Sequence, residues 1–262
     1  MVKKIGKNST ILIDVDGVLL LEEDPIAGAS EAIDFLNKQK VEYLIVTNMT
    51  RLSKNQLFDR FQNAKLNIPL KRIFTPVIAV IEYAYSKIKK PTFFLIGPDS
   101  LAKEFENAGI KISREEEKVD FVVLGFDPET NYSMLNKAFH LIKNGVPFIG
   151  LHTYRHHASK GTSVMSLGCF VKGLEYCTGK KPLVIGKPNT NFFKLALKKI
   201  NSKNKNTYMM GDDLEGDILC AKKAGLKTIQ VKTGTFNEKQ LKLSKIKPNY
   251  LIESIGNLPS LF

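Results

Sequence analysis

Cysteine is scarce in this chain and badly placed for cross-linking. Cys169, Cys177 and Cys220 are odd in number and contain no Cys-x-x-Cys pair. That excludes a disulfide framework and a zinc knuckle, and points to a reducing compartment with buried thiols. Long apolar runs are missing too: no stretch would span a bilayer. The lysines near the amino terminus are followed by no signal-peptide core, because Ile11 to Val15 is too short and is interrupted by Asp14. The expected location is the cytoplasm. Tracts rich in glycine and proline are absent, as are long blocks of one charge. With 43% hydrophobic residues in 262, the chain is a folded globular protein with room for one large or two modest domains.

What is abundant is lysine. A formal charge of +13 invites a nucleic-acid reading. The lysine pairs are scattered, however, at Lys3-Lys4, Lys89-Lys90, Lys180-Lys181, Lys198-Lys199 and Lys222-Lys223, with more between Lys239 and Lys247. This pattern favours a solvated basic surface over a dedicated nucleic-acid face, and it is compatible with a field that draws in small anionic substrates.

Apolar runs that stop abruptly at small polar residues recur along the chain. Ile11 to Val15 ends in Asp14, Asp16 and Gly17; Tyr43 to Val46 ends in Thr47-Asn48; Leu183 to Ile185 ends in Gly186-Lys187-Pro188; Thr207 to Met210 ends in Gly211-Asp212-Asp213; Thr228 to Val231 ends in Lys232-Thr233-Gly234. Such runs read as buried parallel strands whose carboxyl ends open onto a site. Between them, Gly28 to Lys40 has helical spacing with Ala29, Ala32, Ile33 and Leu36 on one stripe. Ser53 to Ala64 has Ser53 as N-cap and Leu57, Phe58 and Phe61 facing inward, and further helices are predicted over 191–200 and 215–224. A middle block alternates helices at 76–88, 100–107 and 132–143 with strands at 92–96, 121–124 and 147–150. The reading is an α/β protein in which one parallel sheet is built from the two ends of the chain and the middle block is inserted as a separate domain.

Asp14 and Asp16 are two residues apart, so strand alternation keeps both on one side, and Gly17 permits a tight turn. Two carboxylates there can divide labour: one, held ionised by a metal, attacks, while the other gives and takes a proton. A calcium loop is excluded because Val18-Leu19-Leu20 follows where further ligands are required. Asp212, Asp213 and Asp217 offer carboxylates to a hard cation, most simply Mg²⁺; Thr47 and Asn48 offer a hydroxyl and an amide to an oxyanion; Lys187 offers a cation. Taken singly, Lys187 reads as one surface lysine among many, and Thr47-Asn48 as a turn or helix cap. Together the four strand ends are an inventory for phosphoryl transfer.

Asp14-Val15-Asp16-Gly17-Val18, Thr47-Asn48, Gly186-Lys187-Pro188 and Gly211-Asp212-Asp213 to Asp217 resemble, in order, the four motifs of the haloacid dehalogenase-like phosphatase superfamily. The position of the middle block resembles the NagD-like branch (subfamily IIA). The stretch Gly173 to Gly179, with Phe192-Phe193, is similar to the phospholysine phosphohistidine inorganic pyrophosphate phosphatase group. The resemblance implies a Rossmann-like core over residues 1–75 and 183–262 and an inserted α/β cap over 76–182. It implies a Mg²⁺-dependent phosphatase for a small phosphorylated metabolite, with Asp14 as nucleophile, Asp16 as general acid and base, and an aspartyl-phosphate intermediate. Mg²⁺ would be held by Asp14, the Asp16 backbone carbonyl and Asp212, supported from behind by Asp217, with Asp213 either sharing that role or having none. Gly17, Thr47, Asn48 and Lys187 would bind the phosphoryl group, and the family suggests a homodimer formed through the cap. The same inventory serves an inorganic pyrophosphatase, a phosphotransferase, or a non-catalytic binding protein that uses the basic surface.

Two departures from the family pattern stand out. Relatives continue Thr-Asn-Asn where this chain has Thr47-Asn48-Met49, and a Thr-Asn-x-Asp stretch is replaced by His152-Thr153-Tyr154-Arg155-His156-His157. Arg155 is the candidate in that loop for an anionic leaving group. His152, His156 and His157 have a spacing that suits a transition metal only if the segment is helical. His140 reads as packing or surface.

Overall fold

The computed structural model describes residues 4–115, 118–159, 162–202 and 206–262, with the side chains of residues 157–159 and 163 also left undescribed. Lys3 and the side chain of His157 therefore lie outside the described residues. The chain divides into two compact units. Met1–Thr47, Lys54–Phe74 and Thr190–Phe262 form the first, and Asn48–Ser53 and Thr75–Asn189 form the second.

In the first unit the strand Thr10–Ile13 is buried along its whole length. It lies inside a six-stranded parallel sheet of order Tyr250–Ile252, Lys227–Val231, Thr207–Gly211, Thr10–Ile13, Glu42–Val46, Ile73–Phe74. The chain runs outward through the last two of these, then returns to the other flank of Thr10–Ile13 and runs outward again. This reversal is a topological switch point, where the carboxyl ends of neighbouring strands open a crevice. Asp14 and Asp212 follow the two strands that border it. Burial on both faces explains why the strands read as continuous apolar runs.

The helix Ala29–Lys38 buries Ala29, Ala32, Ile33 and Leu36, the stripe its spacing predicts. The helix Lys54–Asn63 buries Leu57 and Phe61, while Phe58 packs at the margin of the same core. Thr190–Lys199 buries Phe192, Phe193 and Ala196. The helix predicted over 215–224 differs: it opens as a π-helical turn, Leu214–Leu219, and only Cys220–Lys223 is α-helical. The amides of Asp217 and Ile218 both bond to the Asp213 carbonyl at 3.1 Å, so one extra residue is accommodated in the turn.

The second unit holds a five-stranded parallel sheet of order Leu183–Val184, Phe148–Gly150, Phe121–Leu124, Thr92–Ile96, Lys111–Ser113. Its helices are Pro76–Lys87, Asp99–Asn107, Tyr132–Lys143 and Gly168–Thr178. Leu183–Val184 thus joins the sheet of the middle block, not the one built from the chain ends. The pairing to Phe148–Gly150 continues past the strand as Ile185 N–H to Gly150 O at 3.2 Å and Gly186 N–H to Leu151 O at 2.8 Å. Such a short, half-buried edge strand carries no pattern that assigns it to either sheet.

None of the cysteines is in a disulfide. Cys220 is buried, Cys169 is half-buried, and Cys177 is exposed, against the expectation of buried thiols. Burial pushes the Cys169 thiol above its usual pKa. Among the described residues no helix is long and apolar enough to cross a membrane.

Phe61 is fully buried in the core of the first unit. Phe61→Ala is expected to cost about 3–5 kcal/mol, read as a lowered urea midpoint at unchanged m-value. A loss below 1 kcal/mol would mean that this core collapses around the gap.

Candidate active site

The Thr10–Ile13 strand continues its ladder by one bond, from Asp14 N–H to Met210 O at 3.0 Å, and then breaks. The Val15 carbonyl accepts from the amides of Val18, Leu19 and Leu20, curling the chain tightly behind Asp16. Gly17 takes the left-handed φ of 82° that this curl requires, and a Cβ on it would strike the Asp212 carboxylate. The same is true of Gly234, at φ 63°. The turn after the first strand and the loop after Lys227–Val231 therefore close on Asp212 from two sides, and a hydrogen bond from Thr233 Oγ1 to Gly17 O at 2.5 Å joins them.

Asp212 Oδ2 accepts from the Thr235 amide at 2.6 Å and from its hydroxyl at 2.9 Å. The Gln230 side-chain amide donates to the Asp212 carbonyl at 3.1 Å. Asp217 is completely buried, and the Asp213 amide donates to its Oδ2 at 3.4 Å. The π-helical turn is what aims Asp217 back at Gly211, where a Cβ would collide with it. Asp213 has a different job. Its Oδ1 accepts from Glu215 N–H at 2.9 Å and caps that turn.

Asp14, Asp212 and Asp217 each offer a carboxylate oxygen within 4.8 Å of the others. At that separation two ionised groups repel by about 3 kcal/mol at an effective dielectric of ~20. The donors are all oxygens, with no imidazole or thiolate among them, which is the chemistry of a hard divalent cation and fits Mg²⁺. Asp217, expected behind the metal ligands, lies within the cluster itself. Asp16 sits on the same turn, with 54% of its side chain exposed. Thr47 is buried at the carboxyl end of Glu42–Val46, the strand paired with Thr10–Ile13, and its amide donates to Phe74 O at 3.4 Å.

The second unit brings Asn48 and Lys187 together. Asn48 Nδ2 donates to Lys187 O at 2.7 Å, and Lys187 N–H donates to Asn48 Oδ1 at 2.9 Å. The Asn48 side chain is thus a reciprocal clamp on the Lys187 backbone. Lys187 is 1% exposed, unlike a surface lysine.

Arg155 is exposed, and its carbonyl accepts from Ser166 N–H at 2.9 Å. His152 is buried, its Nδ1 accepting from Tyr154 N–H at 3.3 Å. His156–Ser159 is a strand, so the helical spacing that a transition-metal site would need is not there. His140 lies on an exposed helix face, 3.2 Å from the Asn136 amide.

The sequence reading missed Thr233–Thr235 and Arg60 as parts of the site. The first had a visible signal, since small polar residues end that strand as they end the others; Arg60 had none.

Two family profiles match the chain: haloacid dehalogenase-like hydrolase over residues 11–111 and a related hydrolase profile of the same kind over 184–258. The haloacid dehalogenase-like hydrolase domain-containing protein 2 of Bos taurus is 35% identical over 227 residues, which span 86% of this chain and 85% of that one. Ribonucleotide monophosphatase NagD of Escherichia coli (strain K12) is 27% identical over 248 residues, 95% of this chain and 97% of that one. The crystal structure of a 4-nitrophenylphosphatase from Thermotoga maritima superposes with a TM-score of 0.90 at 28% identity, covering 97% of both chains. This chain belongs to the haloacid dehalogenase-like hydrolases. Within that family it falls in the NagD-like branch.

Thr235→Val keeps the shape of the side chain and removes one hydrogen bond to Asp212. Affinity for Mg²⁺ or Mn²⁺, measured by calorimetric titration, is expected to fall about 10-fold or more; unchanged affinity would detach Thr235 from the cluster. Asn48→Ala removes both bonds to the Lys187 backbone. Exchange of the Lys187 amide hydrogen should accelerate at least about 5-fold, and an unaltered rate would show that other contacts hold this loop.

Proposed function

We propose that this protein is a Mg²⁺-dependent phosphatase that hydrolyses a small phosphorylated metabolite through an aspartyl-phosphate. The observation that carries the reading is the buried cluster of Asp14, Asp212 and Asp217 at the sheet's switch point, with Asp16 two residues beyond Asp14. Supporting it, two of the proteins similar to this chain are phosphatases by name, one of ribonucleotide monophosphates and one of 4-nitrophenyl phosphate.

In this reading the Asp14 carboxylate attacks phosphorus while the bond to the leaving oxygen breaks and Asp16 gives that oxygen a proton. Asp16, now a carboxylate, takes a proton from the water that attacks the aspartyl-phosphate, releasing inorganic phosphate and restoring Asp14. Asp14, the Asp16 backbone carbonyl and Asp212 would hold Mg²⁺, with Asp217 beside them. The bound cation supplies positive charge against the crowded carboxylates and the phosphoryl oxygens. Thr47, the Asn48 main-chain N–H and Gly17 are assigned to those oxygens. Lys187 is assigned by its motif to offset their charge, and Arg155 by its guanidinium to an anionic leaving group. The unit of residues 1–47, 54–74 and 190–262 would be the catalytic core and the unit of residues 48–53 and 75–189 the cap, in a cytoplasmic homodimer formed through the cap.

Asp14→Asn is expected to reduce turnover of 4-nitrophenyl phosphate by about 10³-fold or more with the fold intact by circular dichroism, and EDTA should stop turnover until Mg²⁺ is restored. Persistent hydrolysis by Asp14→Asn would remove the nucleophile assignment. A screen of phosphorylated metabolites, pyrophosphate and phospho-amino acids, with and without an added alcohol acceptor, separates phosphatase from pyrophosphatase and phosphotransferase.

A further inference from the structure

Arg60 lies on the helix Lys54–Asn63, next in sequence to the fully buried Phe61, and its side chain is only 9% exposed. Three of its nitrogen-borne contacts go to three different places. Nε meets Glu23 Oε2 at 3.1 Å, one terminal nitrogen donates to the Glu22 carbonyl, and the other faces Asp16 Oδ1 at 3.5 Å. Glu22 and Glu23 form the tip of a small antiparallel hairpin in which Leu20 pairs with Pro25 and Leu21 with Asp24. That hairpin grows directly out of the catalytic turn, through a bridge between Asp16 and Leu20 and a bond from Gly17 N–H to Leu20 O at 2.7 Å.

The arrangement is asymmetric. Two contacts fasten the guanidinium to the hairpin tip, and a rigid planar fork fastened at two points has its third direction fixed. The longer third contact reaches a carboxyl group that is more than half exposed. At 3.5 Å and with that exposure, the ion pair adds little to stability.

We propose that Arg60 is a positioning residue that holds the Asp16 carboxyl group aimed for proton transfer to the leaving oxygen. This rests on the phosphatase reading above. Arg60 touches no reacting atom. As the P–O bond breaks, the Asp16 proton moves to the departing oxygen and Asp16 is left as a carboxylate, so misdirecting Asp16 harms reactions in proportion to how much the leaving oxygen needs that proton. A phenolate stabilised by a nitro group needs it little, and a simple alkoxide needs it greatly.

The test compares kcat/KM, which reports the steps through phosphorylation of Asp14, for 4-nitrophenyl phosphate and for a primary alkyl phosphate. Arg60→Gln is expected to lose about 10-fold or more on the alkyl ester and less than about 3-fold on the nitrophenyl ester, within the range of general acid catalysis. Asp16→Asn should show the same dependence on leaving group, and adding Arg60→Gln to it should cause no further loss. Glu23→Gln, which weakens one of the two fastenings, should show the same leaving-group dependence to a smaller degree than Arg60→Gln. Arg60→Lys keeps the charge but not the fork, and should fall between; it carries the test if Arg60→Gln does not fold. Equal losses on the two esters, or a loss that adds to that of Asp16→Asn, would overturn the proposal and leave Arg60 as a fastening for the hairpin. Lack of turnover of both esters by the parent enzyme would instead remove the phosphatase reading itself.

Discussion

Three carboxylates within 4.8 Å of one another repel, and in the first unit they are held together nonetheless. Much of the local architecture follows from that crowding. The parallel register that sets Ile13 beside Met210 brings Asp14 and Asp212 to the same level. Gly17 and Gly234 are where side chains would occupy the space of the Asp212 carboxylate, and Thr235 spends two donors on one oxygen of that group. The Thr235 amide and hydroxyl and the Asp213 amide orient oxygens of Asp212 and Asp217. Oxygens gathered in this way are the donor set of a hard divalent cation.

The first unit can be read from its sequence largely because its strands are buried on both faces. Apolar runs that end at aspartate, threonine or asparagine mark both the strand and its carboxyl end, and Asp14, Thr47 and Asp212 follow neighbouring strands of the one sheet as those runs predict. Features that depend on contacts distant in the chain left no such mark. Arg60 is an ordinary basic residue on an amphipathic helix, and only the folded hairpin shows what its guanidinium meets. Leu183–Val184 is too short for any pattern, so its sheet could not be assigned. In the segment 214–223, apolar spacing suits an α-helix, and the wider first turn appears only because Asp213 accepts two successive amides. Lys187 shows the opposite error: counted among many lysines it looks like surface, but its motif position distinguished it, and it is buried.

Asn48, like Thr233, ties one strand end to the backbone of another part of the chain. Its side chain spans 139 positions of sequence to bind the backbone of Lys187 through both its donor and its acceptor. The side-chain amide is thereby committed to holding another part of the protein. Asparagine is suited to that task because one planar amide can pair with both groups of a single peptide backbone. Aspartate has the acceptor without the donor.

The π-helical turn at Leu214–Leu219 places a constraint on the length of the chain as well as on its composition. An α-helix advances each residue by about 100° around its axis. Removing one residue between Asp213 and Asp217 would let the turn relax into regular α-helix, and would rotate the carboxylate at that position away from Gly211 with every other side chain unchanged. The segment can therefore exchange many of its residues more readily than it can lose one. Among sequences that share this turn, insertions and deletions should be excluded from it even where substitutions are common.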